Sequence, residues 1–250
     1  MHSFRFTVAL MLLLVAAPLC AQDLATTCHA TSSYDVTVNA DNVIFDRAAP
    51  APARVELQRG SLRTDAVSVR LDAENQDRMT LFERDLRDLL PRVRKVAQNG
   101  VDMAVQAVRS EASGMGLSSE THGELDQRLD ARAREIKQRI ASSRSTHDWD
   151  GDVINQYASQ VESDLMPLIA GDMGQQAIDA ALNGDMQAAA TLRDRAASLS
   201  TELQPRLLQR MQALRPQIQA LCPAIDQLAD LQQGVRASNG QPLDLVQTGR

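Results

Sequence analysis

Apolar and polar positions alternate along the first third of the chain, as they do in half-buried β-strands. Of four such segments in chain order, the first (34–38), the third (54–58) and the fourth (67–71) alternate, whereas the second (43–45) is an apolar run that continues the set. Pro50 and Pro52 mark a loop between the second and third segments, and Gly60 permits a tight turn after the third. The pattern therefore predicts three to five short strands that form one antiparallel sheet.

From residue 74 the apolar positions recur every three or four residues, which is the period of an amphipathic helix. The first stripe consists of Phe82, Leu86, Leu89, Val93, Val96, Val101, Val105 and Val108. Pro91 lies inside this stripe, so we expect the helix to bend or restart near residue 90. Gly114 and Gly116 end it.

Further helices are predicted over residues 120–142, 150–170 and 178–182, followed by a long helical stretch over 185–235. We expect residues 171–174, with two glycines, to break the third helix. Residues 183–184, Asn-Gly, form a helix stop. The long stretch should be divided into shorter helices by its prolines, Pro205, Pro216 and Pro223.

A strand module followed by helices predicts an α+β fold, with a small N-terminal antiparallel β-sheet followed by a mainly α-helical bundle. The β module, residues 22–72, is too small to hold a core alone, so the helical region, residues 73–236, should pack on it. Residues 237–250 contain two glycines and Pro242 and are predicted to form a flexible tail.

The last apolar stripe has nearly strict heptad spacing and leaves two arrangements open. It consists of Leu214, Ile218, Leu221, Ile225, Leu228 and Val235. The stripe can pack within the chain, which is the commoner outcome, or form the seam of a coiled-coil homodimer.

The N-terminal 21 residues have the organisation of a secretory signal peptide. Arg5 supplies the basic region, residues 8–18 supply the apolar run and Ala21 supplies a small residue for cleavage. The large Leu19 directly before Cys20 disfavours a lipoprotein. No later apolar run approaches the roughly 20 residues that cross a bilayer. We therefore predict a soluble periplasmic protein, cleaved near Ala21, without stable membrane insertion.

Cleavage at this site leaves two cysteines, Cys28 and Cys222, in the mature chain. In an oxidising compartment two such cysteines usually pair. A redox-active pair would typically have Cys-x-x-Cys spacing, which is absent. The sequence therefore predicts a structural disulfide between Cys28 and Cys222.

The charge and composition of the chain make nucleic acids and anionic membranes poor partners. The formal net charge is −6 and aromatic residues make up 3% of the chain. Both kinds of partner carry negative charge, and single-stranded nucleic acids additionally bind to aromatic platforms. We therefore expect neither as a partner.

The densest group of ligand-type side chains is the segment 147–152. Asp148, Asp150 and Asp152 resemble the first three ligand positions of an EF-hand calcium loop. However, Val153 replaces the required glycine and Ser159 replaces the bidentate glutamate. We interpret these acids as residues that stabilise the N-terminal end of the next helix, and we predict no metal site.

No established catalytic or cofactor motif is present. The chain lacks a Gly-x-Ser-x-Gly elbow, a zinc-binding histidine spacing and a glycine-rich phosphate loop. We therefore assign no catalytic, cofactor-binding or metal-binding residue and expect no cofactor. The methionines of the mature chain are interpreted mainly as core residues, although a plastic binding surface is the alternative: Met79, Met103, Met115, Met166, Met173, Met186 and Met211.

The order of these features resembles one known family. A signal peptide, an early cysteine at 28, a strand at 34–38, the turn at 59–62 and the strand at 67–71 lead into a helix that contains Phe82 and Pro91. This arrangement resembles the YggN-like family of bacterial periplasmic proteins of unknown function. The resemblance implies a periplasmic location and a fold, and it implies no catalytic residue.

These observations favour a non-enzymatic binding protein of the cell envelope that uses helix surfaces. Its partner would be another envelope protein or an unfolded client. An alternative is an envelope hydrolase with an unrecognised site around His147 and residues 148–152. A third hypothesis is a structural dimer built on the C-terminal heptads.

Overall fold

The structure is a computed structural model that describes residues 26–149 and 151–249. The predicted signal peptide, its cleavage site and Cys20 lie outside these residues. The chain forms two compact units. We call residues 26–97, 140–149 and 214–249 the sheet unit, and residues 98–139 and 151–213 the helical unit.

The sheet unit contains the predicted antiparallel sheet. Its strands are β2 (Asp35–Val38), β3 (Val43–Asp46), β4 (Arg54–Gln58), β5 (Ser61–Thr64) and β6 (Val67–Val69), paired in the order of the sequence. A separate two-stranded sheet joins β1 (Ala30–Thr31) to β7 (Gln247–Thr248). Helices follow the sheet along the chain, which confirms the α+β class.

Tight turns set the register of the last three strands. Asp65 and Ala66 link β5 to β6 and both have positive φ values, 47° and 67°, as a two-residue hairpin of the primed type requires. The Asp65 carboxylate accepts hydrogen bonds from the backbone N–H groups of Ala53 and Arg54, at 2.8 and 2.9 Å. This side chain therefore fixes the start of β4 as well as the turn.

Helices of very different length make up most of the remaining chain. They are α1 (Ala73–Ser113), α2 (Ser119–Ser142), α3 (Gly151–Leu182), α4 (Met186–Met211), α5 (Arg215–Gln219) and α6 (Cys222–Gln232). Two 3₁₀ turns, Thr146–Trp149 and Gln212–Leu214, precede α3 and α5. Helix α1 contributes its residues up to 97 to the sheet unit and its residues from 98 to the helical unit.

Helices in the structure are longer than the sequence predicts. Helix α1 continues through Pro91 and Gly100 without a restart, and α3 continues through Gly171 and Gly174. The predicted break at residues 171–174 is therefore wrong. Buried side chains next to the α3 glycines, Ile169 and Met173, compensate for the roughly 1 kcal/mol that a glycine costs inside a helix.

The core of the sheet unit lies between the sheet and its helices. Phe45, Leu57 and Leu62 from the sheet are fully buried against Phe82 of α1 and Leu228 of α6. The ring centroids of Phe45 and Phe82 are 6.1 Å apart. In this unit the β module packs on helices, as its small size requires.

The helical unit has its own apolar core. It combines residues of α1, α2 and α3 with one residue of the connection between α1 and α2. The buried members are Val108, Ala112, Leu117, Leu125, Leu129, Leu165, Ile169 and Met173.

The C-terminal residues fold back into the sheet unit. The prediction of a flexible tail over 237–250 is wrong for residues 237–249, because Leu243 and Leu245 are fully buried in the sheet-unit core. Strand β7 also pairs with β1, and Gly249 donates a backbone hydrogen bond to His29. Apolar burial thus orders a segment whose glycines and proline suggested a loose end.

The heptad-like stripe of the C-terminal helices is buried within the chain. Five of its six members, Leu214, Ile218, Leu221, Leu228 and Val235, are at most 3% exposed, and the sixth, Ile225, is half-buried against the same core. The stripe therefore packs intramolecularly and is not available as the seam of a coiled coil. Among the described residues, none of the helices has the length and apolar character needed to span a bilayer.

Candidate functional site

The loop that contains the predicted acidic cluster covers the edge of the sheet. The backbone N–H of Val38 donates to the carbonyl of Arg144, and that of Val36 donates to Thr146 Oγ1, both at 2.8 Å. A bridge between Thr37 and Ser145 continues this pairing. The loop therefore satisfies the outer edge of β2, which would otherwise expose unpaired backbone groups.

Asp148 is used within this loop. Its carboxylate accepts hydrogen bonds from Ser143 Oγ at 3.1 Å and from the backbone N–H of Ser145 at 3.4 Å. Trp149 Nε1 donates to the same Ser143 hydroxyl at 2.9 Å. These contacts make Asp148 a loop-closing residue.

The structure does not place the remaining two acids of the predicted triad. Asp150 and the side chain of Asp152 lie outside the described residues. His147 is a largely exposed side chain whose Nδ1 lies 3.5 Å from the Asp35 carboxylate. Within the described ranges, no three His, Cys, Asp or Glu side chains are grouped so that they could hold a metal ion.

The predicted disulfide between Cys28 and Cys222 is present. The two sulfur atoms are 2.06 Å apart and the Cα atoms are 5.1 Å apart. Both sulfur atoms lie 3.9 Å from the carbonyl oxygen of Ile218. The bond links the segment before β1 to the first turn of α6, across 194 positions of sequence.

Glu83 is a buried carboxylate whose partners are all structural. It accepts a hydrogen bond of 2.7 Å from the backbone N–H of Arg59 and pairs with the Arg87 guanidinium at 2.9 Å. Arg87 also donates to the carbonyl of Asn39 at 2.6 Å. This arrangement connects α1 to two turns of the sheet and leaves Glu83 fully engaged.

A second polar network lies in the helical unit around Asp172. Its carboxylate accepts hydrogen bonds from Ser118 N–H at 3.0 Å, Thr121 Oγ1 at 3.0 Å and Gln176 Nε2 at 2.7 Å. Partial burial alone would raise the pKa of Asp172, but these hydrogen bonds outweigh it and hold the pKa below its ordinary value. Ser118 in turn caps α2 through Thr121 N–H.

Helices α3 and α4 form a hairpin with a short turn between them. Gly184, with φ of 81°, ends α3 in the left-handed conformation that favours glycine. The Asp185 carboxylate accepts a hydrogen bond of 2.9 Å from Ala188 N–H and so caps the start of α4. The predicted helix stop at residues 183–184 is thus present in the structure.

Three large apolar side chains at the end of this hairpin are exposed. Ile178, Leu182 and Met186 are 55%, 81% and 68% exposed. We call these three residues the hairpin tip. The described part of the chain has two other large apolar side chains with high exposure, Val67 on β6 and Leu81 on α1.

The side chains that are half-buried around the hairpin tip are mostly alanines. Ala177, Ala180 and Ala181 on α3 and Ala188 and Ala189 on α4 have intermediate burial. The large apolar side chains of the same segments, 177–181 and 182–189, are the exposed ones. The three large side chains therefore lie on the outside, where an apolar partner can reach them.

Sequence reasoning missed the hairpin tip. The pattern favours a core role for the methionines, Met186 among them, with a plastic binding surface as the alternative, and it predicts a separate short helix over residues 178–182. The available signal was the position of apolar residues on both sides of an Asn-Gly stop. A second signal was charge, because residues 148–192 contain no Lys, Arg or His.

Comparison with known proteins gives one match. The family described as "Protein of unknown function (DUF2884)" matches residues 28–246, which is most of the chain. The chain belongs to the DUF2884 family. No curated protein and no solved structure matches it.

The DUF2884 match begins at the first disulfide cysteine, Cys28, and includes its partner, Cys222. It also includes the loop at 143–149, the Asp172 network and the hairpin tip. The disulfide, the Asp172 network and the hairpin tip therefore all lie within the family region. The family description assigns no activity, so a function has to be argued from the geometry of this chain.

Proposed function

We propose that the protein is a non-enzymatic interaction protein of the bacterial cell envelope, which binds another polypeptide through the hairpin tip. The observation that carries the proposal is the exposure of Ile178, Leu182 and Met186 at one end of the α3–α4 hairpin. Burying such a side chain completely contributes about 1.5–3 kcal/mol. Their removal from water in a complex would therefore favour binding by about 3–6 kcal/mol.

This contribution fits reversible binding. Association costs at least about 4 kcal/mol of lost translational and rotational freedom, so the hairpin tip alone supports only weak complexes. Weak binding suits a protein that contacts unfolded clients or envelope partners transiently.

The envelope location is supported by the disulfide and by the N-terminal sequence. Disulfides such as Cys28–Cys222 persist in oxidising compartments, of which the bacterial periplasm is one. Residues 1–21 have the composition of a signal peptide. We further propose that the chain is a YggN-like protein, which is the family that its motifs resemble.

Among the residues that the structure describes, none of the contacts favours the hydrolase alternative. Asp148 accepts hydrogen bonds from its own loop, and Glu83 is engaged by Arg59 and Arg87. A binding role needs only an accessible surface, and the hairpin tip supplies one.

Site-specific photo-crosslinking tests this proposal. A photoreactive amino acid would replace Met186 in one variant and Gln58, an exposed residue of β4, in a control variant. Both would be expressed with the complete N-terminal sequence and irradiated in cells. We expect polypeptide adducts at position 186 that the control lacks and that Leu182→Ser abolishes. Equal labelling at both positions, or none at 186, would contradict the proposal.

A further inference from the structure

The hairpin tip has acidic neighbours that indicate what kind of polypeptide it binds. Building on the proposed function, we propose that it selects segments in which apolar residues are flanked by Lys or Arg. Asp179 and Asp185 are the specificity-determining residues. Asp179 directly follows Ile178, and Asp185 directly precedes Met186.

Both carboxylates are exposed, and their hydrogen bonds come from neutral donors. Asp179 Oδ1 accepts from Gln175 Nε2 at 2.9 Å, and Asp185 Oδ1 accepts from Ala188 N–H at 2.9 Å. Neither donor brings a positive charge. The apolar surface of the hairpin tip is therefore bordered by two formal negative charges.

The surrounding sequence strengthens this asymmetry. The 45 residues from 148 to 192 contain eight acidic residues and no basic residue. Helix α3 lies entirely within this stretch. Arg132 of α2 pairs with Asp164, one of these acids, but Asp164 lies 14 positions before Ile178 in the same helix. The next basic residues of α4, Arg193 and Arg195, lie seven and nine positions after Met186, so the carboxylates of Asp179 and Asp185 are the charges nearest to the hairpin tip in sequence.

The negative charge beside the hairpin tip favours some of its possible binding partners over others. A second copy docked tip to tip would bring the same two carboxylates and create like-charge repulsion. An anionic lipid surface would be repelled in the same way. A segment with Lys or Arg beside its apolar residues gains both apolar burial and charge complementarity.

The size of the surface supports the same choice. A stable protein–protein interface buries about 800 Å² on each partner, usually with 20–30 residues. Three side chains provide only a fraction of this area. A short segment with a few apolar anchors matches the hairpin tip better than a folded partner or a second copy does.

Fluorescence anisotropy with four labelled peptides tests the proposal on the mature, disulfide-bonded protein. Three peptides share a Leu-rich centre and are flanked by Lys, by Glu or by Ser. The fourth keeps the Lys flanks and replaces the Leu residues by Ser. We expect the Lys-flanked Leu peptide to bind about tenfold more tightly than the Glu-flanked one at low salt. This difference should decrease in 0.5 M salt, because the Debye length is then only about 4 Å.

A variant that changes only charge tests whether Asp179 and Asp185 cause the preference for Lys-flanked peptides. Asp179→Asn/Asp185→Asn removes both charges, while Asn retains an oxygen acceptor at 179 and is a good N-cap at 185. We expect about three- to tenfold weaker binding of the Lys-flanked peptide and unchanged binding of the Ser-flanked one. The control Asp41→Asn/Glu74→Gln makes the same net charge change in the sheet unit, and it should bind like the wild type.

The other possible results distinguish failure of the charge preference from failure of the proposed binding function. Equal affinity for Lys-flanked and Glu-flanked peptides, with loss of binding in Leu182→Ser/Met186→Ser, would overturn the charge preference and leave the proposed function standing. The proposed function itself would be overturned if none of the Leu peptides binds, or if their affinity is the same for the wild type and for this apolar double variant. Leu182-dependent dimerisation, or binding to vesicles with anionic lipid, would identify another occupant and overturn the proposal.

Discussion

The side-chain oxygen of Gln232 accepts a hydrogen bond of 2.7 Å from the backbone N–H of Leu245, in the buried core of the sheet unit. The same oxygen accepts from Val246 N–H at 3.1 Å, and Gln232 Nε2 donates to the Val246 carbonyl. One amide of α6 thus satisfies three backbone groups of the C-terminal segment. This explains how a segment without a neighbouring strand at these positions can be buried.

Replacing Gln232 by Leu should destabilise the sheet unit. Leu has a similar size but leaves the N–H groups of Leu245 and Val246 without their acceptor, and a buried unsatisfied group costs about 1–3 kcal/mol. We expect a loss of about 2–4 kcal/mol in the free energy of unfolding, measured by urea denaturation. Amide exchange at residues 245 and 246 should accelerate.

Gln233→Leu is the matched control. Gln233 is exposed and its amide donates only to the carboxylate of Asp230 at 3.1 Å. The same substitution there should change the free energy of unfolding by less than about 0.5 kcal/mol. Equal effects at 232 and 233 would mean that the Gln232 amide does not hold the C-terminal segment.

The sequence predicts the elements of this fold better than it predicts their ends. Alternation over residues 34–71 and the helical period after 74 lead to the α+β class, because both patterns report which side of each element is buried. In the C-terminal segment Gly240 and Pro242 predict a loose end, whereas the structure buries Leu243 and Leu245. Burial of those two leucines depends on distant residues such as Gln232, and no local pattern contains that information.

Leu245→Ala tests the burial of the C-terminal segment from its apolar side. Leu245 is 0% exposed, so its truncation should cost about 2–5 kcal/mol. Leu182→Ala removes the same atoms from a residue that is 81% exposed and should cost less than about 0.5 kcal/mol. Thermal and urea unfolding of both variants provide the comparison. A loss of less than about 0.5 kcal/mol in the free energy of unfolding of Leu245→Ala would mean that the C-terminal segment is a loose tail.

The hairpin tip illustrates a different limit of sequence analysis. Ile178 and Leu182 have the i, i+4 spacing of a buried stripe, and Met186 is a residue type common in cores. Spacing shows that residues share a helix face but does not show whether another element covers that face. In the hairpin the half-buried positions beside them are mostly alanines, and the three larger side chains are exposed.

Loss of the disulfide should lower stability substantially. Cys28→Ala and Cys222→Ala should each cost about 2–5 kcal/mol, because the bond restricts the unfolded chain over a long loop. The double variant should be no less stable than the less stable single variant, since each removes the same crosslink. Urea unfolding under oxidising conditions measures these effects. Additive losses, or two titratable thiols in the purified wild type, would contradict the bond's role.

Gly60→Ala should destabilise the turn between β4 and β5. Gly60 has a φ of 79°, and an added Cβ would lie 2.3 Å from Thr80 Oγ1 and 2.8 Å from the carbonyl oxygen of Gln76. The backbone of α1 cannot yield as a side chain can, so we expect a cost of about 2–4 kcal/mol. Gly234→Ala isolates the conformational part, about 1–2 kcal/mol, because its φ is 80° and no atom lies within 4 Å. Equal costs at both glycines would exclude the steric contribution.

Acid should weaken the helical unit through Asp172. Desolvation opposes ionisation of this carboxylate, but the hydrogen bonds from Ser118, Thr121 and Gln176 prevail and lower its pKa in the folded state below its ordinary value. A carboxylate with a lowered folded pKa stabilises the protein above its unfolded pKa and loses that contribution as the pH falls through its folded pKa. We therefore expect the Asp172 contribution to be complete above about pH 5 and to decline toward pH 3.

Carboxyl NMR titration of Asp172 measures the pKa directly, and amide exchange at Ser118 reports the local consequence, because that N–H donates to Asp172 Oδ2. Asp172→Asn removes the titrating group and should reduce the change in unfolding free energy between pH 5 and pH 3. Asp194→Asn, at an exposed position of α4, provides the matched loss of one carboxylate and should retain the wild-type change. A folded pKa above 3.8 for Asp172 would reverse the sign of the expected effect, because protonation would then stabilise the folded state.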